Sequence, residues 1–183
     1  MRRLSIILAG LAISALAIVA YTKLMARMGS GTPPAMAAAT EQADAIVVNK
    51  DSREMQLLRD GQVIGRYDIS LGASPEGHKR EEGDERTPEG TYAIDWRNQN
   101  SVAHLSLHIS YPNAEDAAQA SARGTSPGGN IMIHGLPNGW GVFGRLHLLY
   151  DWTNGCVAVT NAEMREIWSL VPNGTPITIV DRK

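Results

Sequence analysis

The chain has 183 residues, 43% of them hydrophobic and 20% charged, with a formal net charge of -2. These values fit one globular domain with a terminal appendage and exclude a disordered chain. Residues 1–41 hold four basic side chains (Arg2, Arg3, Lys23, Arg27) and one acid (Glu41), leaving 13 Lys/Arg against 18 Asp/Glu in residues 42–183, a net of -5 that excludes a nucleic-acid-binding domain.

Arg2 and Arg3 precede an uncharged run of 18 residues, 4–21. That is longer than the apolar region of most secretory signals and long enough for a membrane span. The expectation is an anchor over residues 1–28 that is not removed. Ala35-Met36-Ala37 offers the alternative of a cleaved signal. Either way the domain is exported. Residues 29–42, rich in Gly, Pro, Ala and Thr, read as a linker, and the domain itself covers 43–183. With a single cysteine, Cys156, no intramolecular disulfide is available to an exported protein.

Residues 45–50, 54–59 and 62–70 read as strands, the last two joined by Asp60-Gly61, a two-residue hairpin turn. Residues 72–90 are crowded with charge beside Gly and Pro and read as an exposed loop, of a length that is often functional. Strands follow at 91–96 and 105–110, the second alternating Leu105, Leu107 and Ile109 with His104, Ser106, His108 and Ser110. Residues 114–123 form a helix with Glu115 and Asp116 in its first turn and Gly124 as its stop. A short buried strand at 130–133 ends at His134-Gly135. Residues 140–150 are ambiguous, a short helix interrupted by Gly141 and Gly144. A strand at 157–160 leads into a helix opened by the capping box Thr160-x-x-Glu163 and marked by Met164, Ile167, Trp168 and Val171. The last strand is 177–180. The fold class is mainly β with peripheral helices, preceded by an apolar helix.

Two motifs carry chemistry. One is His134-Gly135 at a strand end. The other is Thr153-Asn154-Gly155-Cys156-Val157, a turn that delivers the cysteine to a strand. Backbone N–H groups in such a turn can hold an oxyanion while sulfur attacks a carbonyl. A free thiol, of pKa about 8.5, needs a base beside it at neutral pH. His134 is preferred as that base because a strand places it rigidly and Gly135 leaves room for a ligand. His147, among Leu146, Leu148 and Leu149, reads as structural. Trp140 and Trp152 are expected to pack against the cysteine loop.

The order His134-Gly135 … Thr153-x-Gly155-Cys156-Val157, with Gly83-Asp-x-Arg-Thr-Pro-x-Gly90 upstream, resembles the signature of the L,D-transpeptidase (YkuD-type) catalytic domain over residues 44–181. The resemblance implies the β-sandwich of that family and a site without metal or cofactor. It implies that Cys156 attacks the carbonyl of the third residue of a peptidoglycan stem tetrapeptide and expels the terminal D-Ala. The thioester then passes to an amine on another stem or on an envelope lipoprotein, or to water, while His134 carries the proton. The amides around Gly155 and Cys156 would form the oxyanion hole, with Thr153 supporting the turn.

This chain departs from the family pattern in two ways. The family commonly has Arg two residues after the cysteine, and here that position is Ala158. Residues 140–150 also lengthen the His-to-Cys spacing and are expected to wall the cleft. Losing the guanidinium removes a partner for a substrate carboxylate, so that role is expected of Arg145 first and Arg123 second. A rival reading makes His104, His108 and His134 zinc ligands, but two His four apart on a strand lie about 13 Å apart. A second rival is a hydrolase using the same Cys-His pair, and a third is an envelope-binding module that has lost its chemistry.

Overall fold

Alternation of apolar and polar residues lays down the first half of the domain. The computed structural model describes residues 2–29 and 32–181. In β1 (Ala45–Asn49) and β2 (Glu54–Arg59), Ile46, Val48, Met55 and Leu57 turn inward and their neighbours turn out, the period of two that a strand imposes. Asp60 and Gly61 have φ of 49° and 73°, the positive pair that a tight hairpin requires, and they return the chain into β3 (Gln62–Asp68).

The remaining elements are β4 (Gly90–Asn98), β5 (Ser106–Ile109), α2 (Ala114–Ala122), β6 (Met132–His134), β7 (Val157–Ala158), α3 (Asn161–Leu170) and β8 (Pro176–Val180). The described strands form one sheet in the order β3-β2-β1-β8-β4-β5-β6-β7. The β1–β8 and β6–β7 pairs are parallel. β4 is the corner: its first residues pair with β8, and from Ile94 onward it pairs with β5, across a register shift between Ile94 and Trp96. A bulge of this kind bends a strand and lets it serve two sheet halves. Both halves feed one core, with Ile46, Met55 and Ile177 from one and Leu107, Ile133 and Val157 from the other.

The two edges of the sheet meet. Beyond β3, Ser70 pairs with Ala158 and Gly72 with Thr153, through Ser70 N to Ala158 O (3.0 Å), Ala158 N to Ser70 O (2.8 Å), Thr153 N to Leu71 O (3.0 Å) and Ala73 N to Thr153 O (2.9 Å). This closure satisfies edge groups that would otherwise be bare. It also ties residues on both sides of Cys156 to one strap.

The helices open where capping predicts. Asn113 and Asp116 form a capping box for α2, and Thr160 and Glu163 form one for α3. Because Thr160 is committed as a cap, β7 ends at Ala158 and is shorter than the expected 157–160. β6 starts at Met132 rather than 130 because Asn130 has φ of 55°, off any ladder. The ambiguous residues 140–150 become short 3-10 turns within Gly141–Leu149, broken at Gly144 (φ 46°, ψ -126°).

The apolar N-terminal run is a single helix, α1 (Arg2–Ala26). Its stretch Ile6–Ala26 has mean hydropathy 2.0, is unburied, and is long and apolar enough to cross a membrane. Its last turns touch the domain, with Tyr21 Oη donating to Gly139 O (3.0 Å) and Trp140 Nε1 to Thr22 Oγ1 (3.2 Å). Of the expected linker, Ser30 and Gly31 lie outside the described residues. The rest is tied to the domain: Ala37 N donates to Ser169 O (2.9 Å) and Arg59 to Ala39 O (2.8 Å).

Candidate active site

The parallel pairing of β6 and β7 brings the two motifs together. Ile133 pairs with Val157 and His134 with Ala158. Cys156 immediately precedes β7 and lies two residues before Ala158, the residue paired with His134, so the two motifs sit on neighbouring segments. The Cys156 thiol is half-buried, with Sγ 3.7 Å from Asn130 O. Burial raises its pKa, opposed by the Met132 N–H and the Lys79 charge. His134 Nδ1 lies 2.6 Å from Gly135 O. A carbonyl only accepts, so Nδ1 carries the proton and Nε2 keeps its lone pair. Burial lowers the His134 pKa, the Gly135 carbonyl opposes that, and His147 adds to it. Both groups therefore rest neutral, as thiol and imidazole, near pH 7.

The turn before Cys156 is fixed from both sides. Thr153 Oγ1 donates to Cys156 O (2.8 Å) and accepts from Gly155 N (3.2 Å). Gly155 has φ of +108°, and a Cβ there would stand 2.5 Å from Arg86 O; a Cβ on Gly72 would stand 2.0 Å from Glu85 O. Only glycine lets the 72–90 loop press its carbonyls so closely on the turn.

That loop was expected to be exposed, and most of it is at least partly so, but Gly72, Lys79, Thr87 and Pro88 are buried and anchor it. Lys50 is buried and spends its three donors on Gly77 O (2.7 Å), Thr87 O (3.1 Å) and Glu89 Oε1 (2.8 Å). Lys79, also buried, bonds Glu81 O (3.0 Å) and Asp84 Oδ1 (2.7 Å). Asp84 further accepts the amides of Arg80, Glu81 and Arg86. Burial pushes the Asp84 pKa up, but the bonds from Arg80, Lys79, Arg86 and Glu81 together hold it below the ordinary carboxylate value. Sequence reading missed Lys50, Lys79 and Asn130. A signal existed for Lys50, which shares the inward parity of Ile46 and Val48.

Several expected roles change. A Cβ on Gly135 would stand 2.7 Å from Asn161 Oδ1 and 2.9 Å from His104 Cβ, so glycine is required here by the packing of these protein groups. Arg145 is exposed and paired with Asp68 and Glu163, which engages the charge expected to meet a substrate carboxylate. Arg123 donates to Arg80 O (2.8 Å) and caps the end of α2. Trp152 sets its edge against His134 (5.8 Å between centroids) and His147 (6.4 Å). Trp140 packs elsewhere, stacked on Phe143 at 5.5 Å and edge-on to Tyr21 at 5.7 Å.

His147 explains Ala158. Ala158 is fully buried, paired with His134 on one side and Ser70 on the other. Ser70 Oγ donates to His147 O (2.9 Å) and lies 3.2 Å from its Nδ1. Directly paired residues share a face, so the buried His147 covers the side of the ladder toward which a longer residue at 158 would extend. Burial lowers the His147 pKa. His108 is bonded to Asp95 (2.6 Å) and stacked on Trp96 (4.9 Å), and His104 precedes β5 at φ 64°. Among the described residues no three potential ligands converge as a metal set.

Two cavities adjoin the segments next to the His134 and Cys156 motifs, one reaching Asn154 and the other Leu136 and Trp152. A polar one of about 690 Å³ is lined by Lys79, Glu82, Glu85, Ser126, Asn130 and Asn154. An apolar one of about 400 Å³ is lined by Leu136, Trp140, Phe143, Leu146, Tyr150 and Trp152, together with His147.

Residues 43–179 match the family described as YkuD, the L,D-transpeptidase catalytic domain. The chain is 28% identical over 182 residues to "Putative L,D-transpeptidase YafK" of Escherichia coli (strain K12), across 93% of this chain and 64% of that protein. Among solved structures it is similar to the helical cell shape determining protein Pgp2 from Campylobacter jejuni (TM-score 0.60, 20% identity, 88% of this chain and 56% of that one). It is also similar to Bdellovibrio bacteriovorus Bd1075 (TM-score 0.53, 22% identity, 84% and 53%). At these identities the structural likeness speaks to fold alone. The chain thus spans between 53% and 64% of the length of these relatives. On the match over residues 43–179 it belongs to the L,D-transpeptidase catalytic-domain family.

Proposed function

We propose that this member of the L,D-transpeptidase family is an extracytoplasmic cysteine acyltransferase acting on peptidoglycan stem peptides. The observation that supports the reading is the parallel pairing of β6 with β7, which sets His134 beside Ala158, two residues after Cys156, with His134 Nδ1 held by Gly135 O. Nε2 takes the thiol proton as Sγ adds to the stem carbonyl, because a neutral thiol needs a base within reach. The Gly155 amide is committed to Thr153, so the Cys156 amide is the donor assigned to the oxyanion. Collapse of the adduct breaks the C–N bond, His134 returns the proton to the departing D-Ala amine, and a thioester remains. An acceptor amine on a second stem or an envelope lipoprotein then attacks the thioester and gives its proton to His134, the C–S bond breaks, and His134 returns that proton to the Cys156 sulfur. The polar cavity suits the peptide stem by its composition. The α1 helix tethers the enzyme to the membrane.

The test is mass spectrometry of the full chain in detergent with a purified muropeptide tetrapeptide. The expected result is loss of D-Ala and a stem adduct on Cys156 that chases into a cross-linked product when an amine acceptor is added. Turnover that survives in Cys156→Ala would sink the reading, and tripeptide as sole product in the presence of amine would replace transfer by hydrolysis. Retention in the membrane fraction after an alkaline wash tests the tether, which a mature N-terminus near Ala38 would refute.

A further inference from the structure

Outside α1, the exposed large apolar side chains concentrate between His134 and the cysteine turn. Val142 is 88% exposed and Leu149 78%, with Phe143, Leu146 and Tyr150 also exposed. Single exposed apolar residues need no explanation, but a contiguous group of this kind marks a contact surface. Within residues 142–150 the one formally charged side chain, Arg145, is paired with Asp68 and Glu163, so the apolar group is not interrupted by a free charge.

The position of α1 says what covers this lip. The C-terminal turns of α1 dock on the start of the same segment, with Tyr21 and Thr22 hydrogen-bonded to Gly139 and Trp140. Met25 lies where a Cβ on Gly139 would stand, 2.6 Å from its Cγ. If Ile6–Ala26 crosses the bilayer, Tyr21 to Met25 lie at its outer boundary and carry residues 139–150 with them. Trp and Tyr favour that boundary, and Tyr21, Trp140 and Tyr150 all fall there. An apolar face held in the interface plane is a stable membrane contact in its own right.

We propose that residues 142–150 form a lip seated in the membrane–water interface, with the bilayer surface covering Val142, Phe143, Leu146, Leu149 and Tyr150. The apolar cavity shares Phe143, Leu146 and Tyr150 with this lip, so the His134 side of the site is held against lipid while the polar cavity serves the aqueous side. The inference rests on α1 remaining attached and is independent of the acyl-transfer chemistry.

The test uses the full chain reconstituted in bilayers of phosphatidylglycerol and phosphatidylethanolamine with brominated acyl chains, which quench tryptophan on contact. Leu149→Trp and Val142→Trp supply the probes, each read as the difference from wild type. Gln62→Trp, beside the β2–β3 hairpin turn, supplies the control. The expected result is a blue-shifted added emission at 142 and 149, quenched several-fold more than at 62. Equal quenching at 149 and 62 in protein that resists alkaline wash would overturn the lip while leaving the anchor. Recovery of a chain beginning near Ala38 would overturn it as well, by removing the span it sits beside. Adduct formation on Cys156, measured in the same samples, reports separately on the chemistry.

Discussion

The two sides of the Cys156–His134 pair are built differently. On the cysteine side, the turn and the 72–90 loop are bound by hydrogen bonds at nearly every step: Thr153 closes the turn, the strap 70–73 grips Thr153 and Ala158, and Lys50 and Lys79 sit inside the loop. On the histidine side, residues 141–149 form broken 3-10 turns that line an apolar and aromatic cavity and are tied to the rest of the domain by fewer polar contacts, chiefly at Arg145 and His147. The difference teaches which group needs exact placement. In the proposed mechanism sulfur must reach a carbonyl whose oxyanion is held by the Cys156 amide, and a misplacement near 1 Å costs on the order of 10²-fold. The wall beyond the histidine is built mainly from side-chain packing.

The comparison breaks first at the reacting atoms. Cys156→Ala should leave no stem adduct by mass spectrometry and reduce turnover to background. His134→Ala should lose on the order of 10²–10⁴-fold in rate, and His147→Ala far less. Reversed losses would move the base to the apolar wall.

Next in size is the loop. Asp84→Ala strands the buried Lys79 ammonium and frees three amides, and breaking a buried pair costs about 3–5 kcal/mol. A urea midpoint within error of wild type would show that the loop is not held this way. A smaller effect is expected on the other flank. Ala158→Arg forces a long side chain toward His147, at about 1–3 kcal/mol for overpacking. If instead it tightens stem binding without destabilising the fold, His147 does not occupy the guanidinium's place.

Acid should act through the buried histidines. His134, His104 and His147 all have lowered pKa values, each chiefly through burial. The unfolded chain binds protons at an ordinary pKa of about 6.5 and the folded chain binds them only below that. Stability from this source is therefore complete at higher pH and is lost as pH falls below about 6.5. The acid limb of kcat/KM should likewise lie below 6.5. Equal urea midpoints at pH 7.5 and 5.5 would contradict the first statement. The smallest effect is expected at Arg145: an exposed ion pair contributes about 0–1 kcal/mol, so Arg145→Ala should leave stability and the KM for stems nearly unchanged. A several-fold rise in KM would return the carboxylate-binding role to it.

Local chemistry made much of this protein legible in the sequence. The hairpin at Asp60-Gly61, the capping box at Thr160, the inward parity of Ile46 and Val48, and the apolar helix at the N-terminus depend on residues within a few positions of one another. So does the glycine turn before Cys156. The identification of His134 and Cys156 as the paired motif rested on their order and residue types, and their family follows from the match over residues 43–179. What the tertiary structure alone decided are contacts between distant segments. Lys50 meets Thr87 and Glu89, Arg145 meets Asp68, Gly135 meets Asn161, and Ser70 meets both Ala158 and His147. Each depends on closure of the sheet between β3 and β7 or on the packing of a loop, and no periodicity along the chain encodes it. A buried polar side chain takes whichever partner the fold delivers to it, and so the charges of the 72–90 loop and the partners of Arg145 emerged only once the chain had folded.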